Sequence, residues 1–196
     1  MVSKITNIKE HLLERGVDFS RTPVILDEVN NYAVFLLYNL SGQLVGYQNY
    51  NPNADKTYNQ CCSKGKHITT KEMIALMRYF TYTTKIGKIN QQAVWGLETL
   101  SPFDNKIFLT EGIFDIIKIH NQNLPGLAIM GNDPKHLKGW LDILPCKKIV
   151  IYDDDLGGRK LAKYGTKAYT VPDQFKDLGE MQNTEVKDFL EILSSC

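Results

Sequence analysis

Lys106-Ile107-Phe108-Leu109-Thr110-Glu111-Gly112-Ile113-Phe114-Asp115 reads as an apolar strand that ends on a carboxylate and turns at a glycine into a helix. The same order returns at Ile149-Val150-Ile151-Tyr152-Asp153-Asp154-Asp155-Leu156-Gly157-Gly158. Around these two units the pattern predicts strands at residues 106–110, 126–130, 147–152 and 167–171. They alternate with helices at 112–121, 134–144, 156–163 and 184–193. Strands alternating with helices of this length indicate βαβ units and a parallel sheet. In such sheets ligands meet the carboxyl ends of the strands. Glu111 and the Asp153-Asp154-Asp155 run fall at those ends.

Carboxylates brought to one sheet edge repel each other unless a cation neutralises them. Asp and Glu oxygens are hard ligands that suit Mg²⁺ or Mn²⁺, and Mg²⁺ commonly completes its shell with water and phosphate oxygens. The chemistry indicated is phosphoryl or nucleotidyl transfer, or phosphodiester cleavage. The same residues also suit plainer roles. Asp155 stands where an N-cap of the following helix would stand. Asp115, at i+4 from Glu111, suits an orienting hydrogen bond as well as a first-turn acid favoured by the helix dipole. Gly112 and Gly158 are expected as backbone requirements of the two turns.

The first hundred residues have another character. An amphipathic helix is predicted at 4–15, with Ile5, Ile8, Leu12 and Leu13 on one face and Gly16 at its end. Strands follow at 24–26, 32–38 and 43–50, with a turn at 39–42 and a short helix at 71–77. The fold class expected is α/β: an N-terminal α+β subdomain over residues 1–100, and a parallel sheet flanked by helices over 101–196.

Of 196 residues, 43% are hydrophobic and 23% charged, enough apolar surface for a core and against disorder. The longest apolar run, residues 32–38, is far short of the roughly 20 residues of a membrane span. The N-terminal residues lack the apolar stretch of a secretory signal, so a cytoplasmic protein is expected. Cys61, Cys62, Cys146 and Cys196 show no C-x-x-C spacing, and neither zinc nor a disulfide framework is expected. His11, His67, His120 and His136 have no visible metal-binding partner, and Trp95 and Trp140 read as core.

Net charge is +1, but residues 1–100 carry 11 Lys+Arg against 8 Asp+Glu, and residues 101–196 carry 12 against 14. The excess concentrates in Lys56, Lys64, Lys66, Lys71, Arg78, Lys85 and Lys88, opposed over that stretch by Glu72 alone. Tyr58, Tyr79, Phe80 and Tyr82 are interleaved with these charges. Cations for phosphates and aromatic faces for bases suit single-stranded nucleic acid. A solvated basic face beside core aromatics has the same composition. On the helix after Asp155, Arg159, Lys160 and Lys163 suit either phosphate contacts or a solvated face.

Glu111-Gly112-Ile113-Phe114-Asp115 resembles the E-G-x-x-D signature of the toprim superfamily. Asp153-Asp154-Asp155-Leu156-Gly157-Gly158 resembles its D-x-D-x-x-G signature. Between and after them, Gly126-Leu127-Ala128-Ile129-Met130-Gly131, Ala168-Tyr169-Thr170-Val171-Pro172 and Lys176-Asp177-Leu178-Gly179-Glu180 are similar to the family's middle strand, last strand and K-D-x-D-E stretch. Upstream, residues 34–48 and Trp95-Gly96-Leu97 resemble the segments that precede this domain in bacterial and phage primases. The resemblance implies a C-terminal toprim domain within a primase polymerase core of compact, phage or mobile-element type. It implies Mg²⁺ (or Mn²⁺) held by Glu111, Asp153, Asp155 and Asp177, with Glu111, Asp153 and Asp155 as the catalytic group. It further implies Lys64, Lys66, Arg78, Lys85, Lys88, Arg159 and Lys160 on nucleic acid or nucleotide, and Gly112, Asp115 and Gly158 as motif structure. The implied partners are a single-stranded DNA template and ribonucleoside triphosphates, with a helicase or zinc-bearing function supplied by another chain, and no membrane. A toprim nuclease and a non-catalytic nucleic-acid-binding accessory protein are the alternatives. Gly179, where the family pattern has a second Asp, is a departure that reduces the late carboxylates to Asp177.

Overall fold

A computed structural model describes residues 5–56, 68–131 and 134–195. Lys64 and Lys66, with Tyr58, Cys61, Cys62, His67 and Cys196, lie outside the described residues. Helix α1 (Ile8–Glu14) leads into an antiparallel sheet of β1 (Ile25–Asp27), β2 (Tyr32–Tyr38), β3 (Leu44–Tyr50) and β4 (Tyr79–Thr83), in the order β1-β2-β3-β4. Helix α2 (Thr70–Leu76) precedes β4, and a small hairpin of β5 (Lys85–Ile86) and β6 (Ile89–Asn90) follows it. The second half is a parallel sheet of β7 (Lys106–Thr110), β8 (Gly126–Ala128), β9 (Lys147–Tyr152) and β10 (Lys167–Thr170), in the order β10-β9-β7-β8. Helices α3 (Ile113–His120), α4 (Lys138–Ile143), α5 (Leu156–Ala162) and α6 (Asn183–Ser195) complete it.

The burial patterns explain why each sheet forms where it does. Strand β2 alternates buried Ala33, Phe35 and Leu37 with half-buried neighbours, the mark of a sheet with one covered face. Strands β7 and β9 bury consecutive residues because both faces of the parallel sheet are covered. Phe108, Ile149 and Ile151 face α3, α6 and the antiparallel sheet. Ile107, Leu109 and Val150 face Leu141 of α4 and Leu161 of α5. Phe35 packs edge-on against both Trp95 and Phe114, and Tyr50 packs edge-on against Phe114, so aromatic contacts dock the first sheet on α3.

The two sheets are also joined through the backbone. Val94 exchanges both hydrogen bonds with Tyr38 of β2, and Trp95 exchanges both with Ala128 of β8. Among the described residues no helix is long and apolar enough to cross a membrane.

Several elements differ from expectation for identifiable reasons. Helix α1 starts at Ile8, because the Asn7 side chain accepts from the Lys9 and Glu10 N–H groups and caps it there. Ile5 is therefore outside the helix, and Leu13 lies off the buried face. Strand β8 stops at Ala128, since Met130 adopts a φ of +60° that no strand continues through. The segment expected as one helix at 134–144 divides into a 3₁₀ turn, Lys135–Leu137, and α4. Trp140 is half-buried at the edge of the second cluster, unlike the fully buried Trp95. Strand β4 and the β5–β6 hairpin were not expected at all.

His120 closes the bridge from below. Its ring stacks on Trp95, and Nε2 donates to the Gly126 carbonyl at 3.0 Å. Burial holds its pKa below the usual histidine value, against the raising effect of that hydrogen bond. The folded chain therefore resists the proton that the unfolded chain accepts near pH 6.5, and His120 withdraws stability as pH falls below that value. Thermal melts of wild type and His120→Gln between pH 8 and pH 5 should show wild type losing ground to the variant only in the acid half of the range.

Candidate active site

The carboxyl edge of the parallel sheet opens into a cleft of about 320 Å³. Strand β7 is its switch point, paired with β8 on one side and β9 on the other, and crevices form at such reversals. Glu111 follows β7, Met130 and Gly131 follow β8, Asp153 follows β9, and Asp177 lies on the segment after β10; all line the cleft. The opposite wall comes from the first half: Arg15 at the end of α1, Gln48 on β3, Tyr79 on β4, and Lys56. Carboxylates and cations thus enter from different halves of the chain.

Glu111 is pinned through its backbone. Its carbonyl accepts from the Met130 N–H at 3.1 Å, and the left-handed Met130 is the backbone adjustment that makes this possible. Burial, then Asp155 and Asp153, push the Glu111 carboxyl above its usual pKa. Asp153 is pushed up to about 6 by burial and by Asp177 and Asp155, against the pull of Lys56 and Lys176. Asp115, half-buried, also lines the cleft, its Oδ1 accepting from the Gly179 N–H at 3.0 Å. Burial, then Asp177 and Asp153, raise it to about 7, opposed by that hydrogen bond and by Arg15.

Arg15 is held by aromatic groups. Its guanidinium lies 3.7 Å from the centre of the Phe114 ring, and Nη1 donates to the Tyr50 and Tyr79 hydroxyls at 3.3 Å each. Lys56 and Lys176 are close enough to interact, and burial followed by Lys176 lowers the Lys56 pKa. Below them, buried Lys118 donates from Nζ to the Met181 carbonyl at 2.8 Å, tying α3 to the turn after Asp177.

The motif residues divide between these tasks. Asp155 caps α5, its Oδ1 accepting from the Gly158 N–H at 2.6 Å, so the N-cap role is real. A Cβ on Gly158 would stand 2.2 Å from the Asp153 carbonyl, so only glycine allows the turn that presents Asp153. Gly112 faces the Asp115 carboxyl, which a Cβ would approach to 2.9 Å.

Several basic residues stand elsewhere. Arg78 spends Nε and Nη2 on the Ala54 carbonyl, at 3.1 and 2.9 Å. Arg159 is ion-paired with Asp154 at 2.8 Å. Lys160 is exposed on α5, and Lys85 and Lys88 stand on the hairpin. Arg15, Gln48 and Met130 were not expected at the site, whereas Lys56 and Tyr79 belong to the basic, aromatic-interleaved stretch of the sequence. Their positions depend on contacts between the halves, which no local motif carries.

The donor set fits a hard divalent cation. Among the described residues no three His, Cys, Asp or Glu side chains form a ready metal cage. Yet Glu111, Asp153 and Asp177 line one cleft, and Asp177 Oδ1 is buried with no hydrogen-bond partner among the described residues. An anionic oxygen left unpaired among other carboxylates is the kind of atom a cation satisfies.

No family model matches the chain, and no curated protein matches it in sequence. Solved structures do match in fold. One is the DnaG catalytic core, with a TM-score of 0.61, 14% identity, and coverage of 94% of this chain and 70% of that one. Another is the primase fragment of the bacteriophage T7 primase-helicase, with a TM-score of 0.52, 17% identity, and coverage of 82% and 62%. A third is a bacteriophage T7 assembly containing primase domains bound to an RNA/DNA hybrid, with a TM-score of 0.53, 17% identity, and coverage of 82% and 75%. The matched part of this chain spans 62% of the T7 primase fragment. The described fold is similar to that of these primase catalytic cores.

The raised pKa of Asp115 has a consequence for stability. A carboxyl held near 7 when folded and 3.8 when unfolded contributes stability below pH 3.8 and loses it as pH rises through 7. Without divalent cations, Asp115→Asn, which keeps the oxygen facing the Gly179 N–H, should melt about 5 °C higher than wild type at pH 8. The advantage should shrink steadily towards pH 5, as differential scanning calorimetry would record.

Proposed function

We propose that this chain is a template-directed nucleotidyltransferase of primase type, making short RNA on single-stranded DNA in replication. The observation that carries the reading is the two-walled cleft: Glu111, Asp153 and Asp177 on one side, Arg15 and Lys56 on the other. The primase-like fold supports it, as does the RNA/DNA hybrid bound by the T7 primase domains.

On this reading Glu111, Asp153 and Asp177 hold Mg²⁺ or Mn²⁺, with Asp155 contributing from the start of α5. When bound, the ion lowers the pKa of a ribose 3′-hydroxyl and neutralises charge on nucleotide phosphates. The protein side chains do the rest. Lys56 and Lys176 place two ammonium groups against the acidic edge, where a triphosphate would separate them and relieve their repulsion. Arg15, stiffened by Phe114, Tyr50 and Tyr79, offers a fixed cation to the incoming nucleotide. Asp115 positions the Asp177 segment through the Gly179 N–H.

Lys85, Lys88 and Lys160 contact nucleic acid backbone at the periphery, and Lys64 and Lys66 belong to the same set. Arg78 acts through the Ala54 carbonyl to shape the segment bearing Lys56, and Arg159 through Asp154. Residues 1–100 and 101–196 act as template-side and metal-side domains. Template and ribonucleotides are the substrates, a helicase or zinc-bearing chain the partner, and the cytoplasm of a cell or phage host the location.

End-labelled single-stranded DNA, Mg²⁺ or Mn²⁺ and labelled ribonucleotides, resolved on one denaturing gel, test this directly. Wild type should yield short RNA, and Glu111→Gln and Asp153→Asn should each reduce it about a hundredfold or more. Template shortened without nucleotide incorporation would move the assignment to a nuclease. Intact template with no product, but retained DNA binding, would leave an accessory binding protein.

A further inference from the structure

The β5–β6 hairpin ends in a pair of isoleucines that no described residue covers. Ile86 and Ile89 face each other across the hairpin and are 72% and 68% exposed. Gly87, at a φ of +63°, makes the tight turn, and a Cβ there would meet nothing within 4 Å. The hairpin is anchored at its base: Gln91 N–H donates to the Thr84 carbonyl and Thr84 N–H to the Val45 carbonyl of β3. An exposed aliphatic pair on a projecting turn is unfavourable in water unless something covers it.

Charge says what kind of surface covers it. Lys85 and Lys88 are exposed on the same six residues, Lys85–Asn90. No Asp or Glu occurs from residue 73 to residue 97, nor from 29 to 54, so strands β2, β3, β4 and the hairpin present no carboxylate. Tyr82, half-exposed, packs at a tilt against Tyr47, with ring centres 5.6 Å apart, on the strands leading to it. A cation-flanked aliphatic wedge without acidic neighbours suits paired nucleic acid, where the apolar side chains enter a base step and the lysines meet phosphates.

We propose that the hairpin tip is a wedge that engages the duplex formed between template and growing strand, with Ile86 and Ile89 against the bases and Lys85 and Lys88 on the flanking phosphates. The proposal rests on the primase-type reading of the cleft. Its placement follows from register. Gln48 of the cleft wall pairs with Thr81, and Ile86 lies five residues farther along. At about 3.3 Å per residue the tip is at most about 17 Å away, or about five base pairs. The wedge therefore meets the duplex within about five pairs of the growing end.

The test uses the full chain and two labelled probes, a single-stranded DNA and the same strand carrying a short RNA complement. A 2-aminopurine sits about five pairs from the RNA 3′ end. Wild type should prefer the hybrid and raise the 2-aminopurine fluorescence by unstacking it. Ile86→Ser/Ile89→Ser should abolish that signal and weaken hybrid binding about tenfold, with single-strand affinity within about twofold. Lys85→Ala/Lys88→Ala should weaken hybrid binding and reduce its salt slope by about 2. Both are tip substitutions, and unchanged melting temperatures would verify the fold.

Hybrid binding and fluorescence unaltered in the isoleucine variant would overturn the wedge, while continued RNA synthesis would leave the reading of the cleft standing. Unaltered binding together with a shift from dimer to monomer in sedimentation would overturn it in favour of a protein contact. Wild type that binds neither probe and makes no RNA would overturn both.

Discussion

Four backbone hydrogen bonds made by two consecutive residues hold the cleft together. Val94 pairs with Tyr38 on the antiparallel sheet and Trp95 with Ala128 on the parallel sheet, so a two-residue bridge sets the separation of the halves. Each such bond contributes only about 1 kcal/mol net. The side chains make the bridge specific: Trp95 is buried against Phe35 and stacked on His120, while Val94 joins the other cluster. Without this register, Arg15 and Tyr79 would have no fixed position opposite Glu111 and Asp153.

The bridge makes possible an electrostatic balance that neither half reaches alone. Asp115, Asp153 and Asp177 lie within one another's fields, and burial and mutual repulsion raise Asp115 and Asp153. Counter-charge comes from Arg15, delivered by the first half, and from buried Lys118 on α3. Arg15 is also a structural cation, lying over Phe114 and bonded to two tyrosines, so its removal would loosen packing as well as charge. Docking of the halves and ionisation of the site are therefore coupled: separating them would remove the guanidinium that opposes protonation of Asp115.

What could be read from the amino-acid order was whatever is local in chain or period. The parallel strands, the carboxylates at their ends and the glycines of the turns were legible because an apolar run followed by acid and glycine has one geometric meaning in a βαβ unit. Strand β4 was not, because its burial is irregular: Phe80 is buried while Thr81 and Tyr82 are exposed, so no period-2 signal marks it. Arg15 was invisible for another reason. At the end of a short amphipathic helix a basic residue is ordinary, and only the docking of α1 beside Phe114 gives it a role. Arg78 shows the converse: its charge was legible, but its guanidinium is bound to Ala54, which charge counting does not reveal.

Gly179 joins these strands of reasoning, because it stands where the resembled motif has a carboxylate. Its N–H donates to Asp115, and a Cβ there would lie 3.1 Å from Asp177 Oδ1 and 3.3 Å from Arg15 Nη2. A side chain would press on both groups, and each would have to give by a few tenths of an ångström. An aspartate would also add another negative charge to a cluster whose Asp115 is already forced towards neutrality at pH 7. Arg15 supplies the guanidinium there, and Phe114, Tyr50 and Tyr79 hold it in place. Glycine at 179 keeps the number of carboxylates near what Arg15 and Lys118 can oppose, and it provides the N–H that stands in for a cation at Asp115. Under the proposed reading, metal binding is thereby concentrated on the Glu111–Asp153 side of the cleft, and the Asp115–Gly179 side serves as a hydrogen-bonded strut that holds Asp177 up to it.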